Sequence, residues 1–99
     1  MTENSKNTYM EQALNAARDA STNGEVPVGA VLVDGSTGEV IATASNRVEV
    51  DHDVSAHAEI LVIRLASQIR GSPRLSQCDL YVTLEPCAMC ATAISFARI

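Results

Sequence analysis

No apolar run in the sequence approaches the roughly 20 residues that a bilayer-spanning helix needs, so no membrane-crossing helix is expected. The start, Met1 to Met10, is polar, lacks a positively charged cluster and leads into no apolar core, which leaves a secretory signal without support and makes the cytoplasm the expected compartment. Low-complexity tracts, charge blocks and internal repeats are absent. With 46% apolar and 19% charged residues the composition is that of a soluble globular chain, with disorder expected only over the first few positions. The 99 residues leave no room for a second domain, and residues 1–99 are read as one.

Basic residues are scarce: 7 Lys and Arg face 12 Asp and Glu, for a net charge of -5. That balance argues weakly against a nucleic-acid binder, which needs clustered cations to neutralise phosphates. Acidic residues are in turn missing between Ile60 and Cys78, where Arg64, Arg70 and Arg74 fall. This segment reads either as a locally positive surface or as solvated arginines flanking a loop. Cysteine is also sparse, and its odd count of 3, with two spaced Cys-x-x-Cys, favours metal or redox chemistry over a disulfide framework.

Between Thr8 and Ala20, Met10, Ala13, Leu14, Ala17 and Ala20 recur at helical spacing opposite polar residues, and Asn23-Gly24 supplies a stop. Val26 to Val33 is β-branched and almost wholly apolar, as in a strand covered on both faces. The turn cluster Asp34 to Gly38 then predicts an antiparallel hairpin with a strand over Glu39 to Ala44. Gly29, inside the first strand, marks a close approach by another backbone or a ligand, or simply tight packing. After an irregular acidic loop from Asn46 to Asp53, Ser55 is the predicted N-cap of a helix running to about Ile69. Gly71-Ser72-Pro73 breaks it, Asp79 to Leu84 reads as a third strand, and Pro86 suits the first position of a final helix. The order helix, hairpin, helix, strand, helix is an α/β pattern in which the second helix crosses between strands.

The chemistry-bearing stretches are His57-Ala58-Glu59 and Pro86-Cys87-Ala88-Met89-Cys90. Cys87 and Cys90, one helical turn apart at a helix start, can both reach one ion about 2.3 Å away, and the helix N-terminus favours thiolate. A redox dithiol would use the same terminus but needs no partner His and Glu. His57 offers a third ligand, leaving an open fourth position of the kind that makes hydroxide accessible near neutral pH. Glu59, outside the ligand set, is the natural general acid/base. A structural zinc would require a fourth ligand, for which Cys78 and His52 are the candidates. Cys78 reads as a small core residue, His52 as exposed and Met89 as packing.

His-x-Glu followed by Pro-Cys-x-x-Cys resembles the zinc-dependent cytidine and deoxycytidylate deaminase superfamily. With Glu25 to Val31, Ala56 to Ile60 and Leu80 to Ala91, the chain is most similar within it to the bacterial tRNA-specific adenosine deaminases of the TadA type. Histidine as the first ligand disfavours the small cytidine deaminases, and the two-residue gap between Cys87 and Cys90 disfavours the riboflavin-pathway enzymes. Guanine and cytosine deaminases remain as rivals. The resemblance implies a three-layer α-β-α cytidine-deaminase-like fold, here its N-terminal part only, Zn2+ as cofactor, and a cytoplasmic homodimer. It also implies hydrolytic deamination of adenosine to inosine at the wobble position of a tRNA, recognised through its anticodon loop. His57, Cys87 and Cys90 would hold the metal, Glu59 would move protons, Asn46 would hydrogen-bond the purine, and Val28 with the Ala58 backbone would line the pocket. Because the chain ends at Ile99, the family's C-terminal strands and helix are expected to be missing, which would expose a sheet edge and admits a non-catalytic, zinc-stabilised fragment as the alternative.

Overall fold

A computed structural model describes the backbone of residues 3–99 and side chains from Thr8 onward; the disorder expected of the first few positions concerns residues outside that range. The elements are α1 (Glu3–Thr22), β1 (Gly29–Asp34), β2 (Val40–Ser45), α2 (Ala58–Arg70), β3 (Cys78–Val82) and α3 (Ala88–Phe96). β1 lies in the middle of a sheet of order β2-β1-β3 and is antiparallel to both neighbours. β2 and β3 are therefore parallel to each other, and α2 carries the chain from one edge to the other past β1.

The central strand shows why both faces must be covered. Ala30 and Leu32 join Ala58, Val62, Ala66 and Leu75 in one core, while Val31 and Val33 join Tyr9 and Ala13 in the other. This is the two-residue alternation of a strand between two helical layers. α1 thus covers one face and α2 the other, which gives the three-layer arrangement. The buried face of α1 is mostly alanine, at 13, 17 and 20, so the helix comes down almost onto the sheet. Gly29 is the matching gap: a Cβ there would collide with the Ala13 carbonyl oxygen and lie 2.7 Å from the Ala17 nitrogen. The approach that Gly29 signalled is that of the α1 backbone.

The stop expected at Asn23-Gly24 is the one observed: α1 ends at Thr22 and Gly24 takes φ 78, where the amide of Glu25 donates to Ala20 O at 3.0 Å and that of Gly24 to Ser21 O at 3.2 Å. Other expectations differ, each for a local reason. Tyr9 belongs to the buried face, whereas Leu14 is 40% exposed. Ser55 is not the N-cap of α2. Its amide and hydroxyl both donate to Asp53 Oδ1, at 2.8 and 2.7 Å, forming a turn that delays the helix so that His57 caps it. Pro86 likewise lies before α3, whose N-cap is Cys87. β3 stops at Val82, two residues short of Leu84: the Thr83 amide still donates to Gly29 O at 3.1 Å, but the Gly29 amide donates to the Thr83 hydroxyl at 3.1 Å, so a side chain completes the last rung.

The supposed positive surface is partly neutralised: Arg70 pairs with Asp34 at 3.0 Å and Glu39 at 3.4 Å. Met89, expected to pack, is 42% exposed. No helix among the described residues is long and apolar enough to cross a membrane.

Candidate active site

The delayed starts of α2 and α3 place two N-cap residues opposite one another. His57 and Cys87 both have extended backbone, with ψ 149 and ψ 173, before their helices begin. Cys90 follows one turn into α3 and is fully buried. His57 Nδ1 lies 3.7 Å from Cys87 Sγ and 3.5 Å from Cys90 Sγ, and all three ligand atoms fall within 4.8 Å of one another. Ligands about 2.3 Å (sulfur) and 2.05 Å (nitrogen) from a tetrahedral zinc are separated by about 3.6 Å, so the trio fits that ion. Neither His52 nor Cys78 belongs to the cluster among the described residues. His52 is exposed in a turn at φ 51, and Cys78 is half-buried on the β3 edge.

The two ligand thiols differ. The amide of Cys90, with that residue's thiol and the amide of Met89, holds Cys87 below the usual thiol range against the opposing charge of Glu59. Burial, reinforced by Cys87 and by Glu59, pushes Cys90 up to about 12. A buried thiol of this kind gives up its proton to a bound cation, so ion binding here is coupled to proton release.

Glu59, the second residue of α2, is 4% exposed and reaches a cavity of about 400 Å³ whose wall also includes His57, Cys87, Asn46 and Val28. The size is that of a small-molecule site. Asn46 leaves the end of β2 and accepts the Ala58 amide on Oδ1 at 2.8 Å. An N–H can only donate, so the oxygen must face α2, and the NH2 end is left for the cavity. Ala58 is buried rather than on the cavity wall, and its N–H is already used. Four carboxylates, Glu25, Glu49, Glu59 and Glu85, line the cavity, with no Lys or Arg among the lining residues. Sequence reasoning did not single out Glu25, Glu49 or Glu85 for the site. Glu85 adjoins the Pro-Cys motif, but Glu25 and Glu49 enter through contacts distant in sequence.

The family model for the cytidine and deoxycytidylate deaminase zinc-binding region matches residues 3–99. The chain is 59% identical over 91 residues to the tRNA-specific adenosine deaminase of Agrobacterium fabrum, covering 92% of this chain and 59% of that one. It is 50% identical over 91 residues to that of Bacillus subtilis, covering 92% and 55%. The chain thus spans little more than half the length of these relatives. Among solved structures it is similar to a tRNA:A34 deaminase studied for A-to-I editing at the wobble position, with TM-score 0.90 and 58% identity over 94% of this chain and 66% of that one. It is also similar to the guanine deaminase of Bacillus subtilis, with TM-score 0.89 and 37% identity over 99% and 60%.

Proposed function

Because the chain belongs to the cytidine and deoxycytidylate deaminase zinc-binding family, we propose that it is a zinc-dependent hydrolytic deaminase that converts adenosine to inosine at the wobble position of a tRNA. The observation that carries this reading is the meeting of His57 Nδ1 with Cys87 and Cys90 Sγ, at 3.7 and 3.5 Å, where His57 and Cys87 face a cavity that Glu59 also lines and Cys90 lies buried behind them. His57, Cys87 and Cys90 hold the ion. When bound, zinc supplies the Lewis acidity that lowers the pKa of water from about 15.7 to roughly 7.

The remaining work falls to the chain's own side chains. Glu59 takes a first proton from the water as it adds to C6 and hands it to the ring nitrogen, then takes a second from the new C6 hydroxyl and gives it to the departing amine as the C6–N bond breaks, so that adenosine and water become inosine and ammonia. Asn46, with its oxygen committed to Ala58, offers N–H donors and so reads an acceptor on the purine edge. Val28, buried at 5% exposure, supplies an apolar wall. The carboxylate-rich, cation-free lining suits an uncharged base and disfavours a phosphate inside the cavity. The anticodon loop therefore presents an extruded base while its phosphates stay outside.

Residues 1–99 act as one domain, the compartment is the cytoplasm, and the active species is a homodimer, which would cover exposed apolar residues such as Ile69 (63%) and Phe96 (72%). Likeness to a guanine deaminase at TM-score 0.89 favours a free nucleobase as the second reading. An assay of inosine formation on an anticodon stem-loop, with free guanine and cytosine as competing substrates, separates the two. Turnover of a free base alone overturns the tRNA reading. Absence of all turnover by a folded, zinc-loaded chain leaves the non-catalytic fragment.

A further inference from the structure

Glu25 is a carboxylate that the proposed chemistry leaves unused. It follows the glycine that closes α1 and is 7% exposed. Both its oxygens accept the Glu49 amide at 3.1 Å, and Oε2 accepts the Val50 amide at 2.9 Å. Among the described residues no Lys or Arg forms an ion pair with it. A buried carboxylate is tolerated only where its oxygens are satisfied, and here backbone amides do so.

Those amides belong to the 46–54 segment, which begins at the base-reading Asn46 and leads into His57. The base of the segment is pinned by Asn46 N to Val28 O at 3.1 Å and Arg47 N to Ala56 O at 2.9 Å. Its tip, at Glu49 and Val50, is tied to the rest of the fold through Glu25. Val48, Glu49 and Val54 from this segment form part of the cavity wall. Without the tie, the segment would keep its foot and its own turn bonds, Asp51 N to Arg47 O at 2.9 Å and Asp53 N to Val48 O at 3.0 Å, but its tip would lose the link that Glu25 makes to the end of α1.

We infer that Glu25 is a positioning residue: it clamps the 46–54 wall of the base pocket and so sets affinity for the nucleobase, taking no part in proton transfer. This rests on the deaminase reading above. The test compares the zinc-loaded full chain with Glu25→Ala and Glu25→Gln, by stem-loop deamination kinetics, by amide hydrogen exchange at Glu49 and Val50, and by titration with adenosine. Glu25→Ala is expected to raise KM, and the Kd for adenosine, about tenfold, with kcat within about twofold, zinc content unchanged and exchange at both amides about tenfold faster. Glu25→Gln, which keeps one carbonyl oxygen, should fall between the two and supplies the same comparison if the alanine variant does not fold. Unchanged exchange overturns the clamp. Faster exchange with unchanged KM and Kd, or with a matching fall in kcat, overturns the positioning role. A wild-type chain without turnover overturns the deaminase reading, and exchange with adenosine affinity then still decides the clamp.

Discussion

The two ends of the Asn46 side chain can be separated by substitution. Its oxygen satisfies the buried Ala58 amide at the start of α2, and its NH2 end remains for the cavity. Asn46→Asp keeps an acceptor for Ala58 and removes the donors, so thermal stability should stay near wild type while KM rises about tenfold or more. Asn46→Ala also leaves a buried N–H unpaired and should cost a further ~1–3 kcal/mol of stability in denaturant titration. Equal stability loss in both variants would show that the amide, not the oxygen alone, holds the turn. At Glu59, replacement by Ala should lower kcat by about 10²-fold or more while zinc, measured by metal analysis, stays near one per chain. Loss of zinc from that variant would put Glu59 in the metal's coordination sphere. That His57, Cys87 and Cys90 meet, with Glu59 on the adjoining cavity, was legible in the sequence, because residue type and spacing within two short motifs set it. Glu25 was not, because its partners are backbone amides 24 and 25 positions away, and any residue type can offer those.

Among the elements, the contact between α1 and β1 is the most exacting. Alanines on the helix and Gly29 on the strand bring backbone against backbone, so Gly29→Ala must push α1 outward. A destabilisation of about 1–3 kcal/mol or more is expected, read as a lowered Tm, and an unchanged Tm would show that α1 does not press on β1 this closely. The turns carry the pH dependence. Asp34 is held below the usual carboxylate range by the Ser36 hydroxyl and amide, then by Thr37 and Arg70, and Asp53 by the Ser55 hydroxyl and amide, then by Arg64. A carboxylate with a depressed folded pKa contributes its stability above the unfolded value, 3.8 here, and loses it as pH falls through the lower folded value. Acid titration of the zinc-free chain should therefore show the contribution of these turns intact above that range and lost below it, and Ser55→Ala should flatten part of the fall. A chain whose stability rose on acidification from pH 5 to 3 would contradict this.

For the molecule as a whole, the starts of α2 and α3 meet at one cluster, so the ion should act as a staple between them. Chelating zinc is expected to lower Tm and to loosen α3 first, because α3 buries only Cys90 among its own residues. Circular dichroism melts with and without chelator, followed by zinc add-back, check this. An unchanged Tm would mean the two helix starts are held by packing alone. The general layout could be read from the sequence because it follows from nearest-neighbour rules. An almost unbroken apolar run in β1, glycines at the ends of α1 and α2, and a turn cluster between β1 and β2 each act within a few residues.

What the sequence determined by itself was the kind of site: one imidazole, two thiols and a separate carboxylate, in a pattern that implies an open zinc centre. What only the tertiary structure decided was how those groups are presented. It made His57 and Cys87 helix caps rather than helix residues, turned the Asn46 oxygen away from the cavity, and drew Glu25 under the pocket wall. For Asn46 and Glu25 the physical reason is shared: each depends on which acceptor meets which backbone amide once the end of α1, the start of α2 and the 46–54 segment pack together, and such pairings are fixed by distance in space rather than along the chain. The start of α2 follows instead from the Ser55–Asp53 turn, which competes locally with the helix.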